Sequence, residues 1–149
     1  MNKMLYELNG EQIRHQLTQL EVCHQVLQQL DQKDLGLVET FALARSLHLA
    51  VECMIDIGNS LIDGFIMRDP GGYHDIVDIM EDEKVITPEL ASQLHPKVDL
   101  RERLIRYYHL ITKEELQEHT RELGIYPDFV KQVTAFLEQE KEKGNIADF

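Results

Sequence analysis

Apolar residues recur in steps of three and four along the first part of the chain, at Ile13, Leu17, Leu20, Cys23, Leu27 and Leu30. That spacing keeps one face apolar over about five turns and predicts an amphipathic helix with Gln-rich outer faces. Over about 37–67 the chain is apolar on most of a helical circumference, as expected of the central helix of a bundle. Its polar exceptions, Arg45, Glu52, Asp56, Asn59 and Asp63, fall on one stripe at roughly 100° per residue. Arg68-Asp69-Pro70-Gly71-Gly72 then supplies turn residues. A short third helix is predicted over about 73–83, with Tyr73, Ile76, Val77 and Met80 inward. Thr87-Pro88 is a helix start, with Thr as N-cap and Pro at the first helical position. Pro96 is expected to kink or break that helix ahead of another over about 98–109. Thr112-Lys113-Glu114-Glu115 reads as a capping box opening the last helix. The core face of that helix is Leu116, Leu123, Tyr126, Val130, Val133 and Leu137, with a bend at Gly124 and Pro127. Residues from about 141 to 149 are charged and expected to fray. No strand pattern or repeat competes, so the predicted fold is all-α, an up-and-down bundle of five or six helices in one domain spanning 1–149.

Composition adds four constraints. At 149 residues a single domain buries a sufficient core without disulfides or metal. Cys23 and Cys53 sit inside apolar helical patterns without tight spacing, which reads as a pair of reduced thiols. The opening Met-Asn-Lys-Met-Leu-Tyr-Glu-Leu-Asn-Gly has no apolar signal core, and the apolar stretch 47–67 carries Glu52, Asp56 and Asp63. A cytoplasmic protein with no membrane span is expected. The net charge of −12 excludes nucleic-acid binding through the global field, because phosphate contacts need cations. Binding would have to be local, and Arg101, Arg103 and Arg106 form the densest basic group in the chain.

That basic group lies in Leu100-Arg101-Glu102-Arg103-Leu104-Ile105-Arg106-Tyr107-Tyr108, followed by His109-Leu110-Ile111-Thr112-Lys113-Glu114. The stretch resembles the catalytic signature of the HepT-like ribonuclease toxins of the HEPN superfamily, which reads Arg, Asn, three residues, His, any residue, Tyr. Arg101 and Tyr108 match it. Glu102 stands where the pattern has Asn, and Arg106 where it has His. The resemblance extends to Ala50–Asn59, to Arg68-Asp69-Pro70 with Tyr73, and to Ile111-Thr112 with Glu114, and is greatest to the YutE-like branch. It implies a homodimer whose signature helices face each other around a composite, metal-independent RNase site with no cofactor. It also implies a partner, a minimal nucleotidyltransferase antitoxin of a type VII toxin–antitoxin pair that attaches AMP to the signature tyrosine, here Tyr108. RNA is the expected substrate, and no DNA or membrane partner is expected.

Metal-independent RNA cleavage uses the adjacent 2′-OH as nucleophile. A base must take its proton, and a cation must neutralise charge on the phosphate. Arg101 suits the second role, but Arg106 cannot be the base, because guanidinium stays protonated in proteins. Loss of general acid–base catalysis costs about 10²–10⁴ in rate, so weakened activity is expected. On a continuous helix Arg101 and Tyr108 lie within about 20° of each other, and His109 lies about 80° from Arg101 against about 140° for Arg106. His109 is therefore a candidate replacement base, set against an idle exposed histidine. Glu102 and Arg106, four apart, are expected to form an ion pair that occupies a disarmed site. The alternative function is then a catalytically inactive dimeric interaction protein.

Glu52, Asp56 and Asn59 either line the site or serve as structural partners for Arg101 and Arg103. Tyr108 either packs at an interface or accepts AMP. Glu21-Val22-Cys23-His24 matches one half of a paired Glu-x-x-His metal site, but a second copy is absent. No metal is expected. Gly71-Gly72 lacks the context of a phosphate loop and reads as a turn.

Overall fold

The structure, a computed structural model, describes residues 8–31 and 34–146. Among these there are six helices: α1 (Gly10–Leu30), α2 (Leu37–Gly64), α3 (Tyr73–Asp82), α4 (Pro88–Arg106), α5 (Lys113–Glu118) and α6 (Ile125–Glu142). α1 lies along α2, α3 and α4 pack against α2, and α6 fills the space beside α1 and α4. One continuous core draws on all six. The predicted face of α1 is the buried one, from Ile13 through Leu30. Cys23 and Cys53 are free and buried, and burial pushes the Cys53 thiol up to about 12. No helix among the described residues is long and apolar enough to cross a membrane.

The helix starts are where turn chemistry places them. Thr87 Oγ1 accepts from Leu90 N at 3.2 Å with Pro88 behind it, and Thr112 Oγ1 accepts from Glu115 N at 3.1 Å. The end of α2 differs from expectation, and that of α3 agrees with it. α2 stops at Gly64 because Met67 N–H donates to Ile62 O at 2.9 Å while Ile66 takes φ 52°. The same closure ends α3, from Val85 N to Met80 O at 2.8 Å with Lys84 at φ 61°.

α4 runs unbroken through Pro96, contrary to the predicted break. Ser92 and Pro96 are both exposed, so the carbonyl left without an N–H faces water. On the other side Leu90, Ala91, Leu94, Val98 and Leu100 are buried and hold the helix on the core. α4 also ends sooner than predicted, at Arg106. Tyr107 caps it by donating from its N–H to Arg103 O at 3.0 Å, and Leu110 N closes a turn on Tyr107 O at 2.9 Å. The predicted last helix is two helices, separated by turns over 119–124, rather than one bent at Gly124. Its end does not fray from 141. Asn145 N donates to Glu140 O at 2.9 Å and Ile146 is buried; residues 147–149 lie outside the described ones.

Candidate functional site

The signature stretch divides at the last turn of α4. Arg101, with a side chain only 17% exposed, donates from Nε to Glu52 Oε1 on α2. Its Nη2 donates to the Tyr73 hydroxyl at 3.2 Å, and its guanidinium lies over the Tyr73 ring, 4.0 Å from the centroid. Tyr73 is thus a shelf for the arginine at the start of α3, 44% exposed, rather than the core residue expected. The Nη1 amino group has no partner among the described residues, so part of the guanidinium fork is unspent.

Glu52 has a second neighbour. His48 Nε2, one turn earlier on α2, is 3.5 Å from Glu52 Oε1, the oxygen that also meets Arg101. Asp56, one turn later, feels the same charges. Partial desolvation raises its carboxyl above the usual range, the Glu52 carboxylate adds to that, and Arg101 opposes it. Asn59 is exposed and makes no hydrogen bond among the described residues.

Arg103 does not reach the α2 stripe. It makes a two-pronged pair with Glu115 of α5, Nε to Oε2 at 2.9 Å and Nη2 to Oε1 at 2.7 Å. The hydrogen bonds to Arg103 hold the Glu115 carboxyl below its ordinary value. Below this point Lys97, buried in α4, donates to His119 O at 3.2 Å and meets His119 Nδ1 at 2.9 Å. Burial lowers the Lys97 ammonium to about 8 and the His119 imidazole to about 4.

The rest of the signature stands free. Glu102 and Arg106 are exposed and form no ion pair with each other, contrary to expectation. An exposed pair at this spacing contributes only about 0.2–0.5 kcal/mol, too little to fix two long side chains at a helix end. Tyr108 and His109 lie beyond α4, so the angles drawn for a continuous helix do not apply to them. They contact each other edge to face at 5.4 Å, and Tyr108 is 69% exposed.

Two features were missed in the sequence. His48 sits four residues before Glu52, a spacing that pairs side chains on a helix and was legible. The other is a chain of hydrogen bonds between α3 and α4. Asp78 Oδ1 meets His95 Nε2 at 3.0 Å, the two Nδ1 atoms of His95 and His74 meet at 2.8 Å, and His74 Nε2 meets Asp99 Oδ1 at 2.7 Å. Only the fold brings His74 and His95 together. Among the described residues no cluster of three or more His, Cys, Asp or Glu side chains is placed to hold a metal. A groove between α1 and α6, lined by Leu20, His24, Tyr126 and Val130, contains none of the signature residues.

Residues 16–136 match the family model described as Ribonuclease HepT-like. The Bacillus subtilis (strain 168) protein named "Putative RNase YutE" is 44% identical over 103 residues, covering 66% of this chain and 69% of that one. The solved structure of Bacillus subtilis YutE, described as a cytosolic protein of unknown function, superposes with a TM-score of 0.84. It is 34% identical over 97% of this chain and 100% of that chain. A tri-AMPylated Shewanella oneidensis HEPN toxin, solved in complex with its MNT antitoxin, shares the fold at a TM-score of 0.74. It is 19% identical, with 83% of this chain and 96% of that chain covered. With its helical bundle, its central acidic helix and its arginine-bearing fourth helix, the chain belongs to the HepT-like ribonuclease family.

Proposed function

We propose that this protein is a metal-independent endoribonuclease of the toxin type, acting as a homodimer with Arg101 as its phosphate anchor. The observation that carries the reading is the state of Arg101. It is pre-oriented by Glu52 and Tyr73, mostly buried, and still has donors free for phosphate oxygens. Its fixed position reduces the ordering cost of gripping a phosphate. Arg106, without an ion-pair partner among the described residues, adds local positive charge that a chain of net charge −12 otherwise lacks, whereas Arg103 is balanced by Glu115.

The dimer reading is supported by apolar side chains that the monomer leaves in water. Ile105, Tyr108 and Leu110 at the end of α4 are exposed, and so are Leu37, Val38 and Phe41 at the start of α2. Lys113 joins the two groups by reaching the Leu35 carbonyl at 3.4 Å. A nucleotidyltransferase antitoxin is the proposed partner, with Tyr108 as AMP acceptor, and its exposed hydroxyl supports that role. Asp56 and Asn59 shape the mouth of the site from α2.

RNA cleavage by the purified protein in EDTA tests the reading. Wild type is expected to cut and Arg101→Ala to lose cleavage. An inert wild type that Arg106→His makes active keeps the site and assigns the loss to the base. If neither cuts, the protein is a silent interaction module, a reading favoured by the absence of any histidine contact to Arg101 from the signature itself. Tyr108→Phe is expected to abolish AMP incorporation from ATP by a minimal nucleotidyltransferase, as read by intact-mass spectrometry.

A further inference from the structure

His48 lies one turn before Glu52 on α2, beside the carboxylate that holds Arg101. One oxygen, Glu52 Oε1, meets both the Arg101 guanidinium and His48 Nε2, which is 3.5 Å away. A carboxylate facing Nε2 favours the tautomer with its proton there and leaves the lone pair on Nδ1. His48 Nδ1 has no hydrogen-bond partner among the described residues. The side chain is 25% exposed, so a substrate can reach it. At 3.5 Å the carboxylate stands at ion-pair distance, where it steadies the imidazole once protonated, the charge-balancing part of a catalytic dyad.

Other histidines are otherwise placed. His74 and His95 bind each other and two aspartates across α3 and α4. His119 is tied to buried Lys97, and burial holds it at about 4, a weak base at neutral pH. His24 lies beside Tyr126 in the groove between α1 and α6. His109 stands on the exposed turn after α4 and touches Tyr108.

We propose that His48 is the general base of this ribonuclease, replacing the histidine that the signature lacks. The inference rests on the ribonuclease reading above. His48 Nδ1 takes the proton from the 2′-OH as O2′ bonds to phosphorus and the P–O5′ bond breaks. The products are a 2′,3′-cyclic phosphate and a 5′-hydroxyl. The leaving oxygen takes its proton from water, and the imidazolium returns its own to solvent. Arg101 grips the non-bridging oxygens, and Glu52 orients His48 and balances its charge.

The test is cleavage of an oligoribonucleotide in EDTA by wild type, Arg101→Ala, His48→Gln, His48→Ala and His109→Ala, each checked for wild-type thermal unfolding. His48→Gln is expected to lower kcat by about 10²–10⁴ with little change in KM, and to lose the acidic limb of the pH–rate profile. Added imidazole is expected to restore part of the His48→Ala activity, and His109→Ala to cut normally. Wild-type rates in His48→Gln beside an inactive Arg101→Ala overturn His48 alone and leave the ribonuclease reading standing. A lower rate with an unchanged pH profile and no imidazole rescue also overturns it, assigning His48 a structural role. An inert wild type overturns it as well. Cleavage by Arg106→His then preserves the site reading, and no cleavage removes both.

Discussion

The two ends of the signature stretch contrast. Arg101 and Arg103 are each gripped by an acid from another helix, Glu52 of α2 and Glu115 of α5. Glu102, Arg106, Tyr108 and His109 make no hydrogen bond, ion pair or ring contact with another helix among the described residues. The inner half is held by tertiary structure, and the outer half is a helix end and a turn in water. A side chain can be pre-organised only where something else fixes it, so phosphate anchoring belongs to the inner half. Pre-organising the outer half would take a second surface.

The largest effect expected concerns the base of the inner half, where Lys97 and His119 join α4 to the turn after α5. Lys97 titrates at about 8 in the folded chain against an ordinary 10.5. Between those values the unfolded chain binds more protons, so stability rises with pH there. The gain approaches about 3 kcal/mol by pH 10.5. Burial also lowers His119, to about 4 from 6.5, so in that window too the unfolded chain binds more protons. Stability is therefore lost as pH falls from 6.5 towards 4. Urea midpoints across pH check both slopes. Lys97→Met is expected to flatten the upper one and to lessen the lower, because the Lys97 charge helps burial hold the His119 imidazole down, and an unchanged upper slope would place the titration elsewhere.

Next comes the Arg101 anchor. Glu52→Ala leaves a mostly buried guanidinium without its carboxylate and is expected to cost about 1.5–3 kcal/mol in urea unfolding. A cost near zero would mean that Arg101 is no better anchored than Arg106, and the contrast would collapse. Gly58→Ala tests the same anchor from behind. A Cβ there would sit 2.7 Å from Ile76 Cγ2 and 3.1 Å from Met80 Cε, forcing α3 away from α2. The crowding outweighs the gain in helix propensity, for a net loss of about 1–2 kcal/mol by thermal unfolding. Because α3 carries Tyr73, the same variant is expected to weaken RNA binding.

Much of this was legible in the sequence where local chemistry and burial agreed. The Ile13–Leu30 periodicity gave the right buried face, and the Thr87-Pro88 and Thr112 caps gave the right helix starts, because each is decided within a few residues. The end of α2 was misplaced because Ile66 takes a left-handed position usually marked by glycine. Pro96 misled because the side of α4 it interrupts is solvated, a fact of packing rather than of sequence. Glu52 meeting Arg101 was foreseen from the polar stripe. Arg103 turning to Glu115, and Tyr73 beneath Arg101, required knowing which helices are neighbours. The early end of α4 undid the wheel argument for Tyr108 and His109, since angles on a helix mean nothing past its cap.

The smallest effect discriminates most finely. Glu102→Ala and Arg106→Ala are each expected to change stability by less than about 0.5 kcal/mol, with no coupling in a double-mutant cycle, because neither side chain has a partner to lose. The measurement is best made at two protein concentrations tenfold apart. In an isolated chain both substitutions stay neutral at each concentration. If the exposed end of α4 faces its copy, the substitutions become costly at the higher concentration, since dimer formation stabilises the folded state by mass action. Neutrality at low concentration and cost at high concentration would then locate the missing surface at the outer half. A cost already present in the monomer would instead show that α4 holds its last turn by contacts within one chain, and the division drawn at Arg103 would have to move outward.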